Sequence, residues 1–379
     1  MPTRGSTPAV DVTALEAAAV EATGLTDFGN PSYREGLEVY VDSLDREAGL
    51  SEIGVLAVEG NLVASLRNRL RVVDWRATHP EVAAERVHAP LFVIGLPRTG
   101  TTLLSALLAE DPRRRALRRW ESGDLVPPPE AATFDTDPRI EATRVSAAML
   151  DTLNPGFKAI HHEPAEGPTE CVTLLGQHFV SLLWETIANV PTYGEWLLAA
   201  DQHDAYAYHR DCLQLLQSRA PGRWSLKSPH HGLALDALLA HYPDARIVVT
   251  HRDPVPVIGS LCSLTRSLSG TFTDVDHTAY IAEHWLDVAE QIVQRTIDAR
   301  ARHPEAAFLD VDYAELLERP LDVIAQIYAF DGLEATPEAE ARMRAYLADN
   351  TQGKFGRHSY SLAEFGLREH EVRARLALA

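Results

Sequence analysis

Apolar residues recur at helical spacing through the first quarter of the chain. The pattern runs from Val12 to about His88, with a break rich in Gly, Pro and Asn at residues 26–32. Repeats at intervals of three or four place side chains on one face of a helix. The residues that show it best are Leu37, Val41, Leu44, Leu62, Leu66 and Leu70. We therefore predict that residues 1–88 form a helical N-terminal extension.

The pattern changes after Pro90 to short apolar runs that alternate with helical stretches. Leu91–Ile94 is typical of a strand and Thr102–Ala109 of a helix, with a glycine loop between them. Further strands are predicted at 224–227, 245–250 and 308–311, and helices at 233–240, from about 255, 279–302, 321–330 and 337–347. This alternation predicts an α/β fold for residues 89–379, a P-loop-type, mostly parallel sheet flanked by helices.

The most apolar long run, Cys171–Val190, is interrupted by four polar residues and predicts a buried helix and no integral membrane segment. The three cysteines form no CxxC pair and no zinc spacing, which favours a reducing compartment. The N-terminus lacks the basic start and unbroken apolar core of a signal peptide. We therefore expect a cytoplasmic protein, and the pattern leaves the oligomeric state open.

The net charge of the chain disfavours some classes of binding partner. The 379 residues include 35 Lys and Arg against 54 Asp and Glu, a formal net charge of −19. A field of this sign repels nucleic acid and anionic lipid, so we expect no nucleic-acid partner. A small anion can still bind in a local pocket, because the net field is screened beyond about 10 Å.

Such a pocket is predicted at Gly95–Thr102, which matches the GxxxxG-x-[ST] frame of a phosphate-binding loop. Small residues let backbone N–H groups converge on an anion, and the helix N-terminus adds its positive end; the alternative is a tight structural turn. Thr101 stands where a kinase has Lys, so nothing obvious bridges β- and γ-phosphates. The cation is instead Arg98, inside the loop.

Pro97–Leu103 resembles the 5′-phosphosulfate loop of sulfotransferases that use PAPS (3′-phosphoadenosine 5′-phosphosulfate). A second segment, from Arg246 through Arg252 to Ser260, resembles the family's 3′-phosphate motif, in which a strand ends in Arg and a Ser follows eight residues on. The resemblance implies that Arg252 and Ser260 bind the 3′-phosphate. It implies a 5′-phosphosulfate site formed by Arg98, Thr99, Gly100, Thr101 and Thr102. For the second segment alone, an Arg252–Asp253 pair is the alternative.

The resemblance runs from about Pro90 to Leu367 and is strongest to a bacterial branch of the family that also has a helical N-terminal extension. Its Leu-Lys-Ser-Pro and Tyr-Ser-Leu-x-x-Phe-Gly-Leu motifs occur here at 226–229 and 360–367. The segment just before the second of these motifs resembles a stretch of glycines and basic residues that covers the donor in the family. It would contribute Lys354, Gly356 and Arg357; a solvated basic tail is the alternative.

Catalysis needs cations on the sulfuryl oxygens and a base for the acceptor proton. Arg98 and Lys227 are the candidate cations. Glu121 and His231 are candidate bases, the first by loose resemblance and the second by its place after Lys227. The alternatives are that Glu121 is a surface residue, that Lys227 is a solvated lysine at a strand end and that His231 is exposed to water.

Two further groups are weaker candidates. His161, His162 and Glu170 precede the apolar run and could face the acceptor. The arginines at 113–115 and 118–119 could bind an anion, but a solvated face around a turn is favoured.

These features predict transfer of a sulfuryl group from PAPS, by in-line displacement and without a metal, to a hydroxyl or amine of a small-molecule or lipid-like acceptor. An atypical P-loop kinase and a PAP- or nucleotide-binding regulator without catalysis are the alternatives.

Overall fold

A computed structural model describes residues 11–161, 163–350 and 360–377. Its centre is a parallel sheet of five strands in the order β2-β3-β1-β4-β5. The strands are β1 (Leu91–Gly95), β2 (Arg114–Ala116), β3 (Arg223–Lys227), β4 (Arg246–His251) and β5 (Ala307–Asp312). Every residue of β1 is buried, as expected for a central strand covered on both faces. The predicted α/β fold with a parallel sheet is confirmed.

Helices surround this sheet. The N-terminal three are α1 (Val12–Thr23), α2 (Tyr33–Ser43) and α3 (Glu52–Thr78). Those before β3 are α4 (Thr101–Ala109), α5 (Arg119–Gly123), α6 (Pro138–Leu153), α7 (Phe157–Ile160), α8 (Val172–Gly176), α9 (Leu182–Ile187), α10 (Pro191–Ala199) and α11 (His203–Gln217). The later ones are α12 (Leu235–His241), α13 (Pro254–Ser269), α14 (Thr278–Arg302), α15 (Tyr313–Glu318), α16 (Pro320–Phe330), α17 (Pro337–Asp349) and α18 (Glu369–Arg375). Short 3₁₀ or π turns occur at Leu44–Ala48, Pro80–Ala84, Ala131–Thr136, Pro229–Leu233 and Leu362–Phe365.

The N-terminal extension is helical, as predicted, and it shares the core of the sheet domain. Leu37 and Leu66 are fully buried in the same apolar cluster as Phe92 and Ile94 of β1. At Gly36 of α2, an added Cβ would lie 2.4 Å from the carbonyl oxygen of Phe179. The extension therefore packs directly on the rest of the protein, and the boundary at residue 88 stays a prediction.

The prediction of one buried helix over Cys171–Val190 was wrong. The run forms α8 and α9, and Phe179 between them has a left-handed backbone with φ 59°. Distant polar groups hold the break: the Tyr193 hydroxyl donates to the Phe179 carbonyl (2.9 Å), and Arg69 donates to His178 (3.1 Å). Across the described parts of the chain, no helix has the length and apolar character needed to cross a membrane.

Of the arginines at 113–115, which were expected to form a solvated face, Arg113 is exposed but the other two are not. Arg114 and Arg115 belong to edge strand β2 and are buried. Arg114 Nη2 lies 2.7 Å from Asp331, and Arg115 Nη2 lies 2.6 Å from Glu121. Buried charges are tolerated only when paired and hydrogen-bonded. Asp331, the partner of Arg114, is 217 residues away in the chain, so nothing in the sequence indicated that Arg114 would be buried.

Candidate active site

The loop between β1 and α4 has the strained backbone that convergence on an anion requires. Gly95 has φ 136°, and a Cβ there would lie 2.4 Å from Thr250 Oγ1. Arg98 has φ 70°, and Gly100, which precedes α4, has φ 92°. Such angles suit glycine and cost a residue with a side chain of order 1–3 kcal/mol, a strain that clusters at ligand sites. Both a tight turn and an anion site use such glycines, and Arg98 is a residue with a side chain that bears this strain.

The threonines of the loop divide into a structural residue and cavity residues. Thr99 is buried, and its hydroxyl donates to the Leu96 carbonyl oxygen (2.7 Å), so its side chain holds the loop together. Thr101 and Thr102 begin α4 and line the cavity over the loop. The first backbone hydrogen bond of α4 is made by Leu104 N–H, which leaves the preceding N–H groups for a ligand.

Arg98, Arg252 and Ser260, predicted from two separate motifs, lie together. Arg98 Nε donates to Ser260 Oγ (3.0 Å), and Arg252 Nη1 donates to the Arg98 carbonyl oxygen (2.7 Å). Arg252 stacks over the Tyr313 ring, 4.1 Å from its centroid. Burial lowers the pKa of Arg98, and the neighbouring Arg252 adds to this effect. Neither arginine forms a salt bridge with a carboxylate among the described residues.

The suggested Arg252–Asp253 pair does not form. Both carboxylate oxygens of Asp253 are bound by Arg373 of α18, at 2.9 and 3.0 Å. Arg252 is therefore left to face the loop. Lys354, Gly356 and Arg357, predicted to cover the donor, lie outside the described residues, and so does His162.

Lys227 connects the loop to a carboxylate. It ends β3, its side chain is fully buried, and Nζ lies 2.9 Å from Glu170 Oε1 and 3.5 Å from Thr102 Oγ1. Burial disfavours its charged form, but the charges of Glu170 and Glu163 outweigh that effect and raise the pKa of Lys227. Lys227 is thus a buried ammonium ion beside the start of α4, and not a solvated lysine.

Two cavities meet beside this pair. One, of about 460 Å³, lies over the loop and extends past Tyr313 to α17. The other, of about 210 Å³, extends between α9 and α13 and is lined mainly by apolar side chains, among them Leu182, Leu183, Leu261, Leu264, Leu268 and Trp285. Both are lined by Pro97, His161, Glu170 and Leu264. Glu170 and His161 are the titratable side chains at the junction.

His161 is the second candidate base at the junction. Burial is the main cause that lowers its pKa, opposed by Glu163 and supported by Lys227, so the ring is neutral at neutral pH. Its Nε2 lies 3.9 Å from Glu163 Oε1, too far for a hydrogen bond. Glu163 lines the apolar cavity and receives a hydrogen bond from Thr169 Oγ1 (3.1 Å).

Two predicted catalytic residues are placed elsewhere. Glu121 is fully buried, accepts hydrogen bonds from Arg115 (2.8 and 2.6 Å) and from Arg118 N–H (2.8 Å), and lines neither cavity. His231 is fully buried against Tyr206, which lies 2.7 Å from its Nδ1, and it also lines neither cavity. We therefore retain neither as a base, and neither is the exposed residue that the alternatives described.

Sequence reasoning placed Glu170 only among weak candidates and missed Tyr313. The available signal for Glu170 was its position directly before an apolar run. Nothing in the sequence indicated that Lys227 would bind it, because that contact depends on how the loop before α8 packs against β3.

The candidate active site thus combines a strand, a glycine loop and a helix with a Lys–Glu pair beside an apolar cavity, and with two arginines that pair with no carboxylate in the described part of the chain. Comparison of the sequence with known protein families identifies the class of protein. The profile described as "Sulfotransferase family" matches residues 90–338, more than half of the chain. The chain belongs to the sulfotransferase family.

Its relatives include solved structures that match almost its whole length. Sulfotransferase STF1 from Mycobacterium tuberculosis H37Rv is 35% identical, with a TM-score of 0.87 over 97% of this chain and 99% of that one. STF9 from Mycobacterium avium is 34% identical, with a TM-score of 0.86 over 99% and 97%. The omega-hydroxy-beta-dihydromenaquinone-9 sulfotransferase Stf3 of Mycobacterium bovis is 24% identical over 285 residues, 72% of this chain and 70% of Stf3.

Proposed function

We propose that this sulfotransferase uses PAPS to sulfate a hydroxyl group carried by a lipid-like molecule. The observation that supports this most is the junction at Glu170. An anion-binding loop lies on one side of it and an apolar cavity on the other. A hydroxyl at the end of an apolar chain would meet the donor there.

The proposed donor residues are groups that no carboxylate of the described residues neutralises. The N–H groups at the start of α4, together with Arg98, would hold the 5′-phosphosulfate, and Arg252 with Ser260 would hold the 3′-phosphate. Two guanidinium groups lack a carboxylate partner within residues 11–161, 163–350 and 360–377, and a Ser hydroxyl lies within hydrogen-bond reach of one of them. This arrangement fits a ligand with two separated anionic groups. The larger cavity continues past Tyr313, which leaves room for the adenosine.

The reaction would use Glu170 and Lys227. Glu170 would accept the proton of the acceptor hydroxyl as its oxygen attacks sulfur, while the sulfur–oxygen bond to the donor phosphate breaks. The Lys227 ammonium, 3.5 Å from Thr102 Oγ1, is near the start of α4 and would stabilise charge on the group being transferred. It also fixes the Glu170 carboxylate (2.9 Å) toward the junction.

The acceptor class follows from the lining of the smaller cavity. A pocket whose lining is mainly apolar, with five leucines and one tryptophan, binds apolar chains, and about 210 Å³ holds several methylene groups. The name of Stf3 gives it an omega-hydroxylated menaquinone derivative as substrate. We propose the same chemical type here, a hydroxyl on an apolar chain.

Calorimetry with PAP and with ATP tests the donor. PAP should bind more tightly than ATP, and the Arg252→Ala variant should weaken PAP by roughly 10–100-fold, the loss expected for one charge-assisted contact. The same change should affect adenosine 5′-phosphosulfate, which lacks the 3′-phosphate, much less. Arg302→Ala, on an exposed pair with Asp236, is the matched control.

Equal losses for both ligands would contradict the 3′-phosphate role of Arg252. Tighter binding of ATP, with hydrolysis that depends on Mg²⁺, would favour the kinase. Binding of PAP without transfer to any acceptor would favour the regulator.

The acceptor class is tested with primary alcohols of increasing chain length and labelled PAPS. The rate at a fixed subsaturating concentration should rise with chain length. The Thr186→Trp variant, which fills the smaller cavity, should remove that rise, whereas Thr136→Trp at an exposed site should not. A rate independent of chain length in the unmodified enzyme would contradict a lipid-like acceptor.

A further inference from the structure

Three metal-ligating side chains converge in the core behind the active site. Cys171 directly follows Glu170, His209 lies in α11, and His231 lies in the turn after β3. One ligand atom of each lies within 4.8 Å of the others, and all three residues are fully buried. They are far apart in the chain, so no sequence spacing indicated a cluster.

Both histidines are held through the same ring atom. The Tyr242 hydroxyl lies 2.7 Å from Nδ1 of His209, and the Tyr206 hydroxyl lies 2.7 Å from Nδ1 of His231. A partner on Nδ1 fixes the orientation of a ring and directs Nε2 to its ligand, which is how protein metal sites orient their imidazoles.

The other ring atoms are unpaired. Nε2 of His209 and Nε2 of His231 are both buried and have no hydrogen-bond partner among the described residues. A buried polar atom without a partner costs about 1–3 kcal/mol, so two in one place require an explanation. They are not explained by catalysis, because neither ring lines either cavity.

The donor atoms suit a metal of the zinc class. They are two imidazole nitrogens and one cysteine sulfur, and the thiol would release its proton when an ion binds. Imidazole and thiolate together suit Zn²⁺ and Cu⁺, in contrast to the oxygen ligands of Mg²⁺ or Ca²⁺.

We propose that Cys171, His209 and His231 form a buried structural site for a thiophilic ion of the Zn²⁺ class. Zinc bonds of about 2.0–2.3 Å separate tetrahedral donors by about 3.5 Å. The present separation of up to 4.8 Å therefore needs the side chains to draw in by about 1 Å. The ion would take no part in sulfuryl transfer, and it would anchor the residue next to Glu170.

Metal content tests the site. Because the ligands are buried, the ion must enter during folding, so the full-length protein is produced in medium supplemented with Zn²⁺, washed with a chelator and measured by mass spectrometry. We expect nearly one ion per chain, and a loss of at least about 80% of it in Cys171→Ser. The matched control is Cys262→Ser, a buried cysteine outside the cluster, and it should keep its ion.

A second measurement guards against misfolding of the variant. Wild-type protein produced with Co²⁺ in place of Zn²⁺ should show a sulfur-to-cobalt charge-transfer band in the near ultraviolet. Absence of metal from the wild type, equal metal in Cys171→Ser, or bound cobalt without that band would each overturn the proposal. A buried water would then be the partner of the two Nε2 atoms.

Discussion

The Glu170→Gln variant tests the proposed catalytic role of Glu170 separately from its contribution to the free energy of unfolding. The substitution keeps shape and removes the charge that faces Lys227. At 2.9 Å, and with an effective dielectric constant of about 20, the attraction between the two ions is about 6 kcal/mol before desolvation. Removing one partner of a buried ion pair costs about 3–5 kcal/mol, but the Gln carbonyl can still accept a hydrogen bond from Nζ. We therefore expect a loss of about 2–4 kcal/mol in the free energy of unfolding.

The effect on rate should be separable from this loss. A positioned general base contributes about 10²–10⁴-fold, which corresponds to about 3–5 kcal/mol in the activation free energy. Because Glu170 contacts neither Arg98 nor Arg252 among the described contacts, KM for PAPS should change little while kcat falls by that factor. A purely structural role would instead give fully active enzyme at temperatures well below its melting point.

The control is Glu163→Gln, which changes a carboxylate that lines the same cavity but does not bind Lys227 directly. It should keep kcat within about threefold of the unmodified enzyme. Unfolding in urea and initial rates with labelled PAPS are measured for both variants. If Glu170→Gln keeps its kcat, the reasoning is refuted, and His161→Asn becomes the variant to measure.

Other predictions concern stability. Gly95→Ala should destabilise the fold by more than about 2 kcal/mol because its Cβ would clash with Thr250, whereas Gly60→Ala, in α3 with no atom within 4 Å, should stabilise it by up to about 1 kcal/mol in thermal unfolding. Asp331→Asn should cost about 3–5 kcal/mol in urea unfolding, since Arg114 and two other arginines contact this fully buried carboxylate; a cost below about 1 kcal/mol would contradict this. Acid should also weaken the fold, because burial lowers the pKa of His178 and of His230 to about 3, and only the unfolded chain binds their protons below about pH 6.5. These two histidines alone should cost the fold about 2.5 kcal/mol between pH 7 and about pH 5.5, and a flat profile would argue against their burial in the neutral form.

The sequence determined the elements whose signals are local. Apolar periodicity predicted the helical extension, the strands at 91–94, 224–227, 245–250 and 308–311, and the helices that follow them. The sequence also indicated the unusual backbone of the loop, because its two glycines, Gly95 and Gly100, lie where the φ angles are positive. The two motifs around Arg98 and Arg252 predicted, through their resemblance to the family, the two ends of one donor site. The structure brings them together because the adjacent parallel strands β1 and β4 end at the same edge of the sheet.

Tertiary structure decided whatever depends on a distant partner. Glu121 was predicted as a base, but it is a buried partner of Arg115 away from both cavities. Glu170 lies at the junction of the cavities because Lys227 binds its carboxylate. Phe179 breaks a predicted helix because Tyr193 and Arg69 hold the chain there. Charge, hydrogen bonding and burial are properties of neighbours in space, and a sequence pattern reports only neighbours along the chain.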